Sequence, residues 1–293
     1  MSFLSNLISG ISLGSIYAIM ALGYTMVYGI AKMLNFAHGD VIMVGSYVVF
    51  YAVNSFGWPP AVSILVSVAV CTVLGMVIEK VAYKPLRKAT SLAVLITAIG
   101  VSYLLQNSAL LIFGADSKSF PTIFNMSALS LAGGQLKISG ITIITVIACL
   151  LIMVALMFFV HKTQPGQAML AVSEDKEAAQ LMGVNVNGTI SLTFAIGSGL
   201  AAIAGVLFCS MYYVLTPYTG SLPGIKAFTA AVFGGIGSIP GALIGGLLLG
   251  IIEVLASAYI SSQLANAIVF AVLIVVLLVK PSGILGKQIR EKV

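Results

Sequence analysis

The chain is poor in charge. Only 8% of its 293 residues are Asp, Glu, Lys or Arg, while 60% are hydrophobic. A soluble domain carries about 25% charged residues to coat its surface for water. A chain of this composition cannot do so, and its apolar surface must face lipid. Cysteine is also scarce. Cys71, Cys149 and Cys209 each lie within an apolar run. An odd count without short spacings excludes a disulfide framework and a cysteine metal site. What remains is the role of small buried residues. No GxxxxGK[ST] phosphate-binding loop occurs. The two histidines, His38 and His161, sit on different connections with no paired carboxylate or nucleophile, and HExxH is missing, which argues against a membrane enzyme. Met1 to Gly10 lacks a basic n-region, and no small-x-small cleavage site follows. The first apolar run therefore reads as a retained helix.

What is present is a series of long apolar runs in an all-α pattern. A spanning helix needs about 20 largely apolar residues. Runs near 7–30, 61–82, 91–113, 141–160, 190–214 and 264–280 meet that need. Residues 41–57 are apolar but short. Residues 225–259 are broken by glycines and Pro240, and hold one span plus a re-entrant piece or two spans. The expected count is eight transmembrane helices, with nine possible, in one membrane domain over 1–293.

The net charge is +6. No basic stripe with interleaved aromatics appears, so nucleic acid is not the expected partner. The cations sit in short connections instead, as the positive-inside rule describes. Lys80, Lys84, Arg87 and Lys88 crowd one loop, and Lys280, Lys287, Arg290 and Lys292 the C-terminus. Both places are expected in the cytoplasm, and alternation puts 161–189 there too. Residues 58–60, 114–139 and 215–223 then face outward as loops rich in turn residues (Trp58-Pro59-Pro60, Gly133-Gly134, Pro217, Gly220, Pro223). The N-terminus comes out external and the C-terminus internal. That needs an odd number of spans and conflicts with eight; 30–40 and 225–259 decide the matter.

Small residues recur at helical spacing. Gly237, Gly241 and Gly245 fall four apart, as do Gly246 and Gly250, and Gly197, Ala201 and Gly205 make another ridge. Such ridges let helix backbones approach closely in lipid. They fit tight crossings around a pathway and equally fit ordinary helix packing.

Polar groups at membrane depth are the candidate site. A charge at the bilayer centre costs about 2.5–3.5 kcal/mol on insertion scales. Glu253, inside Leu247–Ile260, either lines a wet pathway or is held by an interhelical hydrogen bond. Asn35, His38 and Asp40 cluster where the first helix breaks, and a broken helix offers backbone groups to an amino acid's carboxylate or ammonium; alternatively, His38 closes a turn near the cytoplasm. Gln106, Asn107 and Asn266 read as interhelical polar contacts, and Lys226 as snorkelling from the external end of its span.

The longest polar connection expected in the cytoplasm is His161 to Gly188. Ser173 is placed to cap a helix of about nine residues, with Glu174, Asp175 and Glu177 in its first turn. Gly183 suits the position past its end. Ala178, Leu181 and Met182 form one small apolar face. A helix so short is marginal alone and asks for a partner surface.

Glu177-Ala178-Ala179, three residues, then Gly183 resembles the EAA–x3–G loop of ABC-importer permeases. The family's later Ile-x-Leu-Pro is not matched: Ile190-Ser191-Leu192-Thr193 comes early and lacks the proline. Other segments sharpen the resemblance to the permease subunits of branched-chain amino acid ABC importers. These are Leu34 to Asp40 (LNFAHGD), Val81 to Arg87 (VAYKPLR), Thr97 to Ser102 (TAIGVS), Gly234 to Ala242 (GGIGSIPGA) and Lys280 to Gly286 (KPSGILG). The resemblance runs the length of the chain, in order.

It implies a transporter subunit, not an enzyme, in the bacterial inner membrane. Glu177, Ala178, Ala179, Leu181, Met182 and Gly183 would form the coupling helix that docks on an ATPase. The implied partners are a second permease subunit, in a heterodimer, two cytoplasmic ATPases that bind the ATP, and a periplasmic amino-acid-binding protein. This chain itself would hold no cofactor. Leucine, isoleucine and valine are the implied cargo, with a urea or short-chain amide importer as the alternative. A secondary transporter would need no docking helix and should carry internal repeats. A passive channel should show a filter motif or charged ring, which the sequence lacks.

Overall fold

The computed structural model describes residues 2–87, 89–131 and 136–286. Lys88, Gly133, Gly134, Lys287, Arg290 and Lys292 lie outside the described residues. Eleven α-helices appear among the rest. Six of them are long and apolar enough to cross a membrane. These are α1 (Ser2–Ala31), α3 (Pro60–Ile78), α4 (Ser91–Phe113), α5 (Gly140–Lys162), α8 (Val186–Tyr212) and α10 (Ile239–Tyr259). Three more are apolar but shorter: α2 (His38–Asn54), α9 (Ser221–Gly234) and α11 (Ala265–Val279). Two polar helices, α6 (Gln164–Glu174) and α7 (Lys176–Leu181), fill the long connection.

The helices start where local chemistry requires it. Pro60 opens α3 and Pro240 lies in the first turn of α10, where a missing N–H costs nothing. Thr90 caps α4 by accepting from Ala93 N, and Ser238 caps α10 by accepting from Gly241 N. α3 runs on through a π-turn at Glu79–Tyr83 and a 3-10 turn at Lys84–Leu86.

The two halves of the bundle are built alike. α1, a break, α2, α3 and α4 are matched by α8, a break, α9, α10 and α11. Four packing pairs recur: α1 on α10 and α8 on α3, α2 on α8 and α9 on α1, α2 on α3 and α9 on α10, α2 on α4 and α9 on α11. Lys32 and Tyr213, each the first residue past its long helix, share a left-handed backbone with φ of 58° and 57°. The halves run in opposite senses. α1 ends at the face that carries Lys32, Arg87 and Lys176, here called the basic end, whereas α8 begins there. At the opposite end β1 (Lys118–Ser119) pairs antiparallel with β4 (Val214–Leu215). β2 (Leu129–Leu131) pairs antiparallel with β3 (Leu136–Ile138).

Small residues seat the crossings. A side chain at Gly10 or Gly14 would meet the α10 backbone at Ile251 or Leu247, at 2.8 and 2.7 Å. Gly246 and Gly250 face α1 in return. Gly241 and Gly245 face α9 instead. Gly237 does not belong to that ridge: it lies in the turn between α9 and α10 with φ 95°, a conformation suited to glycine. Gly197 faces α1, and Gly205 meets Ile42 O of α2. α1 and α8 are mostly buried, whereas α3, α4 and α5 are mostly exposed and apolar. Those three faces are what lipid or another apolar surface must cover.

Two expectations change. Residues 215–223 are not a simple external loop, because Gly220 and Pro223 are buried and α9 starts at Ser221. Gly220 comes so close to Gly39 O that only glycine fits there. Residues 225–259 resolve into the end of α9 and all of α10, broken where Gly235 and Gly237 take positive φ.

Candidate functional site

α1 ends at Ala31, and residues 32–37 fold back before α2 begins at His38. The short return places Asn35, His38 and Asp40 inside the bundle, each buried. Asn35 Oδ1 accepts from Tyr83 Oη at 3.0 Å. Tyr83 lies in the basic turn after α3, so that turn and the break are joined. His38 N donates to Asn35 O at 3.1 Å, closing a turn. Its ring is packed edge-on against Tyr24, with centroids 4.6 Å apart. His38 closes a turn by its backbone, and its side chain is buried within the bundle. Among the described residues its Nε2 finds no hydrogen-bond partner.

α9 begins with the same geometry from the opposite direction, so two helix N-termini meet head to head within the bundle. Each N-terminus acts as about half a positive charge. A side chain at Gly39 would come within 2.5 Å of Gly220 O. Neither helix has a side-chain cap. Asp40 lies in the first turn of α2, where a carboxylate opposes both dipoles. Gln106 of α4 ties the junction: its Nε2 donates to Asp40 Oδ1 at 2.9 Å and to Ser221 Oγ at 3.0 Å. The crevice beside it, lined by Tyr24, Asn35 and Phe228 among others, is too narrow for water. The junction is closed.

Glu253 is separate from this cluster. Its carboxylate accepts from Lys226 Nζ at 2.6 Å and from Tyr17 Oη at 3.0 Å. Lys226 does not snorkel: it is 4% exposed, because α9 starts inside the bundle and places residue 226 deeper still. Asn107 donates to Tyr103 O of its own helix and is no interhelical contact. Tyr83 and Ser102 enter the sequence reading only within the segments VAYKPLR and TAIGVS, and Ser221 and Tyr17 not at all. Hydroxyls in apolar helices are too common to signal a site, and only their contacts select these: Tyr83 with Asn35, Ser102 and Ser221 with Gln106, and Tyr17 with Glu253.

The polar connection forms two helices where one was expected. Thr163 caps α6 by accepting from Gly166 N, and Pro165 lies in its first turn. Ser173 is no cap: it lies in the last turn of α6, and its hydroxyl donates to Leu170 O. Asp175 is the cap of α7, with extended backbone and a carboxylate that accepts from Glu177 N and Ala178 N. Gly183 follows the end of α7 with φ 86°. Gly183 N donates to Gln180 O and Val184 N to Ala179 O, both at 3.0 Å, a Schellman closure. Ala179 is buried against the bundle, while Leu181 and Met182 are 88% and 84% exposed. Lys176 Nζ donates to Ala31 O at 2.9 Å, tying α7 to the end of α1.

Glu79 holds the basic end together. It is buried and accepts from Arg87 and from Ser191, while Arg87 also reaches Asn187. The end of α3 is thereby fixed to the start of α8.

This architecture is shared with known proteins. A chain from "PsaBC from Streptococcus pneumoniae in complex with Fab" superposes with a TM-score of 0.51 at 14% identity, covering 96% of this chain and 93% of that one. The high-affinity branched-chain amino acid transport system permease protein LivH of Escherichia coli is 46% identical over 99% of this chain and 98% of its own length. Permease protein BraD of the corresponding system in Pseudomonas aeruginosa is 43% identical over the same shares. Residues 6–277 match the family described as branched-chain amino acid transport system / permease component. The chain belongs to that family of transport permeases.

Proposed function

We propose that the chain is the membrane-spanning subunit of an ATP-driven importer of leucine, isoleucine and valine in a bacterial inner membrane. The observation that carries this reading is the 43–46% identity to LivH and BraD along nearly the whole chain. The chain forms one membrane domain with nine crossings. Each short helix, α2 and α9, completes a crossing together with the extended return before it. The basic end is cytoplasmic by the positive-inside rule.

In this reading a second, similar permease subunit pairs with the chain. Two ATPase subunits bind the ATP and receive α7 through the exposed Leu181 and Met182. A binding protein delivers the amino acid at the opposite end. Movement of α7 reaches the α1–α2 break through the Lys176–Ala31 hydrogen bond. The break carries Asn35, His38 and Asp40 to the α2–α9 junction, which opens and closes the pathway. Glu253 acts with Lys226 as a structural ion pair beside it.

The inverted halves favour a second reading, an ion-coupled carrier working alone, since such carriers are built from inverted repeats. Reconstitution separates the two. The full complex in liposomes should take up leucine only with ATP, with isoleucine and valine competing and urea not. Uptake by this chain alone, driven by a proton or sodium gradient, overturns the reading.

A further inference from the structure

A cavity of about 290 Å³ opens at the basic end, away from the α2–α9 junction. Three cations line it from three separate elements: Lys32 past the end of α1, Arg87 in the turn between α3 and α4, and Lys176 at the start of α7. Their charge is poorly balanced. Arg87 shares Glu79 with Ser191. Lys176 donates to a backbone carbonyl only, and among the described residues neither Lys176 nor Lys32 has a carboxylate within 4.0 Å. Arg87 also keeps a buried Nε–H without a partner among the described residues.

A helix N-terminus adds positive potential, and the crowding of the cations shows at Lys176. Ser91, the first residue of the 23-residue α4, lines the cavity, so a helix N-terminus lies at its wall. Burial, and then the charges of Arg87 and Lys32, hold the Lys176 ammonium below the usual lysine pKa. The remaining wall is apolar, with Leu86, Val94 and Leu95. On the same helix Leu92 and Ile96 are exposed, an apolar face that continues from the cavity into the lipid-facing surface of α4.

We infer that this cavity binds a phosphate group, that of an anionic phospholipid headgroup at the basic end, and so clamps the end of α1, the α3–α4 turn and α7 together. Cations and N–H groups take the phosphate, and the leucine and valine wall takes the glycerol and upper acyl chain. A clamp there sets how firmly α7 is tied to the α1–α2 break. The inference concerns a site apart from any transported solute and stands whichever solute that is.

The test uses the purified full chain in nanodiscs of phosphatidylcholine, with or without phosphatidylglycerol. Native mass spectrometry counts the lipids retained, and intrinsic fluorescence follows thermal unfolding. The chain should retain phosphatidylglycerol over phosphatidylcholine and unfold at a higher temperature with it. Lys32→Gln and Lys176→Gln should each weaken that preference by about fivefold, the share of one lysine at an anionic surface. Lys32→Glu, at an exposed side chain, should abolish it without affecting folding, Lys32→Arg should keep it, and Lys137→Gln at the opposite end should leave it unchanged. Equal protection by inorganic phosphate in pure phosphatidylcholine supports the phosphate site and assigns it to a soluble ligand. Equal retention of both lipids with no response to phosphate, or an unchanged preference in Lys32→Glu, overturns the inference.

Discussion

Lys226 and Glu253 show what a single residue reveals from sequence and what it hides. A carboxylate inside Leu247–Ile260 is legible as costly, and costly groups are held by something. Its partner was not legible, because the depth of Lys226 depends on where α9 begins, and that depends on the close approach of Gly220 to Gly39. The pair is largely buried, with side chains 5% and 14% exposed. Removing one partner leaves the other charge stranded, which costs about 3–5 kcal/mol in buried pairs, whereas replacing both by apolar groups is often neutral. Lys226→Met or Glu253→Gln alone should therefore lower the thermal midpoint of the purified chain markedly. The double change Lys226→Met with Glu253→Met should recover most of the loss. A double variant as unstable as the two single losses summed would show that the two side chains act independently.

At the scale of elements, most helices were readable. The run 91–113 was matched to the residue, and 141–160 and 190–214 within a few, because long apolar stretches leave the backbone no alternative in lipid. The polar connection was read less well. Gly183 and the exposed pair Leu181 and Met182 stood out, but the cap was assigned to Ser173. Two cap candidates lie two residues apart, and only backbone geometry distinguishes them. The correction yields a prediction. Asp175→Ala should loosen α7 by about 1 kcal/mol, the usual loss for an N-cap. Glu177→Lys and Gly183→Pro should do more. Proline holds φ near −65° and cannot take the 86° found at Gly183. Each of those two should uncouple ATP hydrolysis from uptake while membrane insertion stays normal, as ATPase and uptake assays on the same proteoliposomes would register. Wild-type uptake in both removes α7 from the coupling role.

At the scale of the whole molecule, the conflict between eight spans and termini on opposite sides comes from taking 225–259 as one span plus a re-entrant piece. That region holds two helices, most of α9 and all of α10, and hydropathy alone does not separate them because the break between them is glycine and Pro240 within an apolar run. The nine crossings proposed above would place Ser55, Asp116 and Ser262 on one side and Gln180 on the other. The three native cysteines are all buried, so introduced ones can be read cleanly. Ser55→Cys, Asp116→Cys and Ser262→Cys should react with an impermeant maleimide on intact cells, and Gln180→Cys only after permeabilisation. Protection of Ser55→Cys or Ser262→Cys contradicts the arrangement. The meeting of α2 and α9 would also constrain the proposed cycle. Asp40 is held there by two helix dipoles and a hydrogen bond from one amide, so pulling the helices apart would take half of that dipole field from the carboxylate at once. Water would then have to replace it, and hydration of one acid would accompany each parting of the two halves.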